Sequence, residues 1–146
     1  MQTESQVVAL GHVIQLAVAP VFLLTGVSGL LGVLTNRLAR IIDRARQLEE
    51  RVTRVGEGEQ DRIHQELRLL SQRARLINTA VSLCTLCALL ICAVIVALFV
   101  GAFLVTDVSL VIGVVFTAAM LALFSGLVSF LREIYVATRS LRIGPH

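Results

Sequence analysis

The sequence contains no lysine, so all thirteen of its basic residues are arginine. It has no HExxH, GxSxG or phosphate-loop motif, and this leaves an enzymatic function without support. Three long runs, residues 16–34, 80–105 and 108–131, contain no charged residue. Proton-coupled transporters usually keep ionisable residues inside their spans, so we do not expect a function of that class.

The uncharged runs are long enough to cross a bilayer. The chain has 146 residues, is 56% apolar and has a mean hydropathy of +0.84. A helix needs roughly 20 residues to cross about 30 Å of hydrocarbon. No arginine precedes the first run, which is the reverse of a signal peptide, so we expect that run to remain as an anchor. The sequence predicts an all-α integral membrane protein with three transmembrane helices, at 13–35, 77–105 and 108–131.

The arginines predict the orientation in the membrane. Ten of the thirteen lie between Arg37 and Arg75, and the others are Arg132, Arg139 and Arg142. Basic residues near the ends of spans stay on the cytoplasmic side. We therefore expect residues 36–76 and the tail, 132–146, to be cytoplasmic, with the N-terminus and the turn at Asp107 outside. Three crossings place the two basic segments on one side without further assumption.

Two heptad patterns predict that the first two spans continue as helices beyond the membrane. Apolar residues recur at alternating spacings of three and four, which is typical of a coiled-coil seam. We predict a cytoplasmic antiparallel hairpin over 36–76, with a turn at 56–59, Gly56 as the C-terminal cap and a second helix starting near Gln60 or Asp61. The pattern leaves open whether the seams meet within one chain or between chains. The first seam is Leu24, Val27, Leu31, Leu34, Leu38, Ile41, Ala45, Leu48, Val52 and Val55, and the second is Ile63, Leu67, Leu70, Ala74, Ile77, Val81, Cys84, Ala88 and Ile91.

Small and hydroxyl residues follow one flank of each of the first two spans. Such residues let helices approach closely, and this is the commoner use. They can also line a passive pore, since hydroxyl and backbone oxygens conduct ions without a fixed charge. The residues that could line a pore or pack helices are Thr25, Ser28, Gly29, Gly32, Asn78, Ser82 and Thr85.

Charged residues gather at the cytoplasmic ends of the predicted spans. We interpret them as contacts for anionic lipids, or for a protein partner, rather than for nucleic acid. The net charge of +3 belongs mainly to these positions. They are Arg37, Arg40, Asp43, Arg44, Arg73, Arg75 and Arg132.

The three cysteines all fall in the second span and predict no disulfide framework. Cys84 and Cys87 form a CxxC, but a thiolate is strongly disfavoured in an apolar span, so packing is the favoured interpretation. Metal binding needs thiols from several chains at once. The three histidines, His12, His64 and His146, lie on different sides of the predicted membrane and cannot form one site in a monomer. We expect no metal site and no cofactor.

Two segments carry a resemblance to a known family. They are APVFLLTGVSGLLGVLTNRLARIIDRAR, residues 19–46, and ELRLLSQRARLINTAVSL, residues 66–83. The chain resembles the bacterial membrane-protein family called domain of unknown function 2721, over about residues 14–135. The resemblance implies a small three-span protein of the bacterial inner membrane. It brings no assigned activity and no functional residues.

Two functional hypotheses follow from the sequence. The first is a non-enzymatic, homo-oligomeric assembly that encloses a passive pore for ions or small solutes, because three spans are too few to enclose a channel alone. The second is a membrane-anchored scaffold whose cytoplasmic hairpin docks a protein partner or anionic lipid. The first is preferred because small and hydroxyl residues lie on two spans.

Overall fold

The structure is a computed structural model that describes residues 2–104 and 108–141. The described residues form three helices: α1 (Gln2–Val52), α2 (Glu57–Leu104) and α3 (Ser109–Leu141). Each helix is long and apolar enough to cross a membrane. This confirms the all-helical class and the presence of three helices long and apolar enough to span a membrane. The predicted outer turn at Asp107 lies outside the described residues.

Large apolar side chains point outward along all three helices. Phe22, Phe103 and Leu110 are each about three-quarters exposed, at 74%, 75% and 77%. A soluble protein rarely exposes so much contiguous apolar surface, because that surface is favoured only against another apolar phase. The outward side chains therefore fit a lipid environment along the most apolar part of each helix.

Two compact units divide the chain, and every helix contributes to both. The first unit contains the described residues of Met1–Leu31 and Leu83–Phe124. The second contains Gly32–Ser82 and the described residues of Ser125–His146. Within the second unit, the end of α1 and the start of α2 form an antiparallel hairpin, which we call the 32–82 hairpin.

The heptad positions form the buried core of each unit. In the first unit Val27, Cys84 and Ile91 are 2%, 0% and 0% exposed. In the second unit the buried seam positions are Leu34, Ile41, Leu48, Ile63, Leu70 and Ile77. In each seam the buried positions are seven residues apart, because a heptad repeat keeps one face of a helix against its neighbours, and the seam positions between them are partly exposed.

The turn of the hairpin differs from the prediction at Gly56. α1 ends at Val52, and α2 begins at Glu57, earlier than predicted. The Gly56 carbonyl accepts hydrogen bonds from the backbone N–H groups of Glu59 and Gln60, at 3.1 and 3.3 Å. Its φ lies outside the left-handed range that a C-terminal glycine cap adopts. Gly56 therefore opens α2 instead of closing α1.

Gln60 closes α1 from the opposite limb of the hairpin. Its Nε2 donates to the carbonyl oxygens of Val52 and Val55, at 3.4 and 3.2 Å. The last carbonyls of a helix have no partner within the helix, so a side-chain donor satisfies them. This contact links the end of α1 to the first turn of α2.

The third helix is longer than the span predicted from its apolar run. The predicted span ends at residue 131, where the run stops, and α3 itself extends to Leu141. Glu133 is buried while Leu131 and Tyr135 on either side are 66% and 62% exposed. The part of α3 beyond the apolar run therefore keeps an inward face that packs in the second unit.

Candidate functional site

A single carboxylate joins all three helices within the second unit. Among the residues that the structure describes, Glu133 on α3 is the one charged residue that is buried, and its side chain is 0% exposed. Arg73 on α2 donates to its Oε1 from Nε at 3.1 Å and from Nη2 at 2.9 Å. Nη1 of Arg37 on α1 lies 3.2 Å from its Oε2. We call these three residues the Glu133 cluster.

The two arginines hold the carboxylate in different ways. Arg73 donates two charge-assisted hydrogen bonds through the edge of its guanidinium, and one oxygen, Oε1, accepts both. Arg37 forms an ion pair whose geometry is not that of a hydrogen bond, so Oε2 has no hydrogen-bond donor among the described residues. The Arg37 guanidinium also lies over the ring of Phe130, 5.3 Å from its centroid. This cation–π contact fixes the orientation of Arg37.

Burial makes the cluster energetically sensitive. A carboxylate removed from water is stable only if its charge is compensated, and removal of one partner leaves an unpaired buried charge. The side chains of Arg37 and Arg73 remain 36% and 24% exposed. The cluster therefore has a buried anionic centre and a partly exposed cationic edge.

A second ion pair crosses the 32–82 hairpin. Nε and Nη2 of Arg44 donate to Oε1 of Glu66 at 3.1 and 3.0 Å. Both side chains are about half exposed, at 48% and 44%. Water screens such a pair, so its contribution to stability is small.

The remaining predicted charge positions lie on the surface. Arg40, Asp43, Arg75 and Arg132 are exposed. Of the seven predicted lipid or partner contacts, three have an intramolecular ion pair: Arg37, Arg44 and Arg73. Lipid or partner contact by these seven residues stays a prediction. Of the tail arginines, Arg142 lies outside the described residues.

The predicted small and hydroxyl residues all face outward from the single chain. A Cβ built on Gly29 or Gly32 meets no other atom within 4 Å. The hydroxyls of Thr25 and Ser28 donate to the carbonyls of Val21 and Leu24 in their own helix. Asn78, Ser82 and Thr85 on α2 are also exposed. Close packing of this face against another helix of the same chain is therefore ruled out at the two glycines.

The family of the chain follows from a comparison with known sequence families. The model of the family described as protein of unknown function (DUF2721) matches residues 17–143. The chain belongs to this family. A match was found neither among curated proteins nor among solved structures. DUF2721 membership thus confirms the resemblance seen in the two sequence segments and assigns no activity.

The cysteines of this DUF2721 chain lie in two environments. Cys84 and Cys87 are fully buried in the core of the first unit, and Cys92 is exposed. Burial of the CxxC pair fits the packing interpretation, since a free cysteine behaves as a small apolar residue. Within the described residues, no group of three potential metal ligands occurs.

The residues predicted from the sequence of this DUF2721 chain do not include Glu133. Its two partners, Arg37 and Arg73, are predicted there as contacts for anionic lipid or a protein partner. A signal was present: Glu133 is a lone carboxylate among arginines, close to the end of an uncharged run. The pairing itself connects residues 60 positions apart or more, and spacing along one helix cannot reveal it.

Proposed function

We propose that this protein is a non-enzymatic membrane protein that assembles into a homo-oligomer, and that the assembly encloses a passive pore for ions or small solutes. The observation that carries the proposal is the uncovered face of Thr25, Ser28, Gly29 and Gly32 on α1. Contact of glycine and hydroxyl residues with lipid is only weakly favourable, but these residues allow close contact with another helix. Because no helix of the same chain covers the two glycines, a second copy is the partner we infer.

The pore half of the proposal rests on the chemistry of that face. Thr25 and Ser28 satisfy their hydroxyl donors within α1 and keep oxygen lone pairs on the surface. Asn78, Ser82 and Thr85 extend the polar character to α2. A ring of copies that turned these oxygens inward would offer a lining without fixed charge, as in pores that conduct passively. We place the assembly in a bacterial inner membrane, with the 32–82 hairpin on the cytoplasmic side, because arginines near span ends stay inside.

The assembly is tested by counting chains in lipid nanodiscs with native mass spectrometry. We expect several copies for the natural protein and a monomer for Gly29→Leu. A Cβ at this position meets no atom of its own chain within 4 Å, so we expect the larger side chain to act mainly at a contact between copies. Gly113→Leu is the matched control, because Gly113 on α3 is equally open and lies outside the proposed face. A monomeric natural protein, or an unchanged particle for Gly29→Leu, would contradict the proposal.

The pore is tested separately, by flux from liposomes that contain the purified protein. We expect release of a small monovalent ion and retention of a large dye. Ser28→Leu should reduce the flux by blocking the lining, whereas Ser71→Leu, an exposed position on the hairpin, should leave it unchanged. A multi-chain particle with no flux would reject the pore and leave the assembly standing.

A groove on the 32–82 hairpin favours a second function, that of a membrane-anchored scaffold. Ile41, Ile42 and Leu67 line an open groove of about 630 Å³, together with the charged residues Glu49, Asp61 and Arg68. Ile42 is 46% exposed there. An apolar floor with a polar rim is the usual composition of a protein-binding surface. A partner helix with an apolar face flanked by charged residues of both signs would fit this groove.

The scaffold function is tested by affinity purification from native membranes. If the hairpin docks a partner, Ile42→Asp should release that partner, because a charge on the groove floor opposes burial. Leu69→Asp is the control, since Leu69 is similarly exposed, at 43%, and does not line the groove. Recovery of the protein alone from natural membranes would remove the basis for this function.

A further inference from the structure

The Glu133 cluster carries an excess of positive charge. Two guanidinium groups share one carboxylate, so one positive charge remains uncompensated. Glu133 has no exposed surface, whereas Arg37 and Arg73 reach the surface with 36% and 24% of their side chains. The negative charge is thus hidden and the excess positive charge is accessible from outside.

Arginine donors at the cluster are left over after the carboxylate is bound. A guanidinium has five N–H donors. Arg73 directs Nε and Nη2 at Glu133, and the ion pair of Arg37 uses Nη1 alone. In the part of the chain that the structure describes, neither arginine makes another polar contact. The unused donors of both arginines therefore belong to groups that one carboxylate holds, Arg73 at Oε1 and Arg37 at Oε2.

The two arginine side chains are preorganised for binding a ligand. Glu133 offsets the repulsion between the two guanidinium groups, and the ring of Phe130 supports Arg37 from one side. Side chains that are already fixed lose little conformational entropy on binding. A guanidinium edge matches the oxygen geometry of a phosphate and binds it by two parallel hydrogen bonds.

We propose that Arg37 and Arg73, positioned by Glu133 and Phe130, form a binding site for a phosphate group. The cluster lies just beyond the ends of the three uncharged runs, at the depth where lipid phosphates lie if the helices cross a bilayer. The phosphodiester of an anionic phospholipid and free inorganic phosphate share this chemistry. The site differs from a general collar of arginines, because it requires two particular residues and a buried carboxylate. It does not depend on oligomerisation or on a pore.

The site is tested by native mass spectrometry of delipidated protein titrated with phosphatidylglycerol, and with phosphatidylcholine for comparison. We expect preferential retention of phosphatidylglycerol. Loss of one charge-assisted contact should weaken its binding about tenfold in Arg37→Gln. Arg46→Gln is the matched control, because Arg46 is an exposed arginine of the same helix outside the cluster, and its effect should stay below about twofold.

A second variant keeps the test decisive if Arg37→Gln does not fold. Arg37→Lys retains the charge that pairs with Glu133 but loses the planar fork, so the protein should fold and still bind phosphatidylglycerol several-fold more weakly. Competition by millimolar inorganic phosphate would identify free phosphate as the ligand, and absence of competition would identify the lipid. Equal losses in Arg37→Gln and Arg46→Gln, undiminished binding in Arg37→Lys, or no preference for phosphatidylglycerol and no phosphate binding in the natural protein would overturn the proposal.

Discussion

The guanidinium of Arg73 on α2 donates two hydrogen bonds to Oε1 of Glu133 on α3, from Nε at 3.1 Å and Nη2 at 2.9 Å. Arg37 on α1 completes the arrangement at 3.2 Å from Oε2. This contact links the three helices of the second unit and leaves one positive charge on the two arginines.

Replacement of Glu133 by glutamine should strongly destabilise the protein. The change leaves two arginines without an anion. Loss of one partner from a fully buried pair costs about 3–5 kcal/mol, and the partial exposure of Arg37 and Arg73 lets water offset part of that cost. Glu66→Gln is the matched control, because it breaks a pair that is about half exposed, and it should cost less than about 1 kcal/mol. Thermal unfolding in a mild detergent compares the two. Equal melting temperatures for both variants would contradict the structural role of Glu133.

Replacement of the whole cluster by apolar residues should recover most of that loss. The triple variant Arg37→Met, Arg73→Met, Glu133→Leu removes all three charges together, so no unpaired buried charge remains. Buried ion pairs replaced by apolar side chains of similar volume are often neutral or stabilising by about 1–4 kcal/mol. The triple variant should therefore melt above Glu133→Gln while it loses the proposed phosphate binding. A triple variant less stable than Glu133→Gln would show that the charges contribute favourably beyond mutual compensation.

Replacement of Gln60 by alanine should loosen the turn of the 32–82 hairpin. Its amide satisfies the carbonyls of Val52 and Val55 at the end of α1. Loss of such hydrogen bonds costs about 1 kcal/mol. Amide hydrogen exchange of residues 49–60 should quicken in Gln60→Ala and stay unchanged in Gln65→Ala, an exposed glutamine of the same helix. Unchanged exchange in Gln60→Ala would indicate that water replaces the Gln60 side chain as hydrogen-bond donor with no loss of stability at the turn.

Two adjacent leucines of α2 should respond differently to truncation. Leu70 is 7% exposed and belongs to the second heptad seam, while Leu69 is 43% exposed. Leu70→Ala should cost about 2–5 kcal/mol, because it leaves a cavity in the core. Leu69→Ala should change the free energy of unfolding by less than about 0.5 kcal/mol. Comparable losses of unfolding free energy in the two variants would indicate that another molecule or copy covers the outer face of the hairpin.

Cysteine labelling tests the proposed orientation. In a variant without native cysteines, Gly58→Cys at the hairpin turn should react with a membrane-impermeant maleimide only after the inner membrane is opened. His12→Cys, near the opposite end of the first span, should react in intact spheroplasts. Both positions are exposed, so the maleimide can reach either cysteine from the side of the membrane on which that cysteine lies. The reverse labelling pattern would invert the topology and place the arginines outside.

Much of the fold could be predicted because the deciding signals are local. The heptad positions Leu34, Ile41 and Leu48 are buried as their spacing predicts, since a period of 3.5 residues keeps one face inward whatever the partner. The cap at Gly56 could not be predicted, because glycine suits either end of a helix and only the hydrogen bonds to its carbonyl distinguish the two.

The length of the uncharged runs and the spacing of apolar residues in the sequence by itself determined that this protein has three helices able to cross a membrane and which face of the first two is turned inward. Bilayer thickness and helix period act on residues close together in the chain, so no tertiary information is needed. Only the tertiary structure decided that Glu133 lies between Arg37 and Arg73, because the relative alignment of three separate helices brings them together. The same alignment decided that Gly29 and Gly32 face outward, where no helix of their own chain covers them.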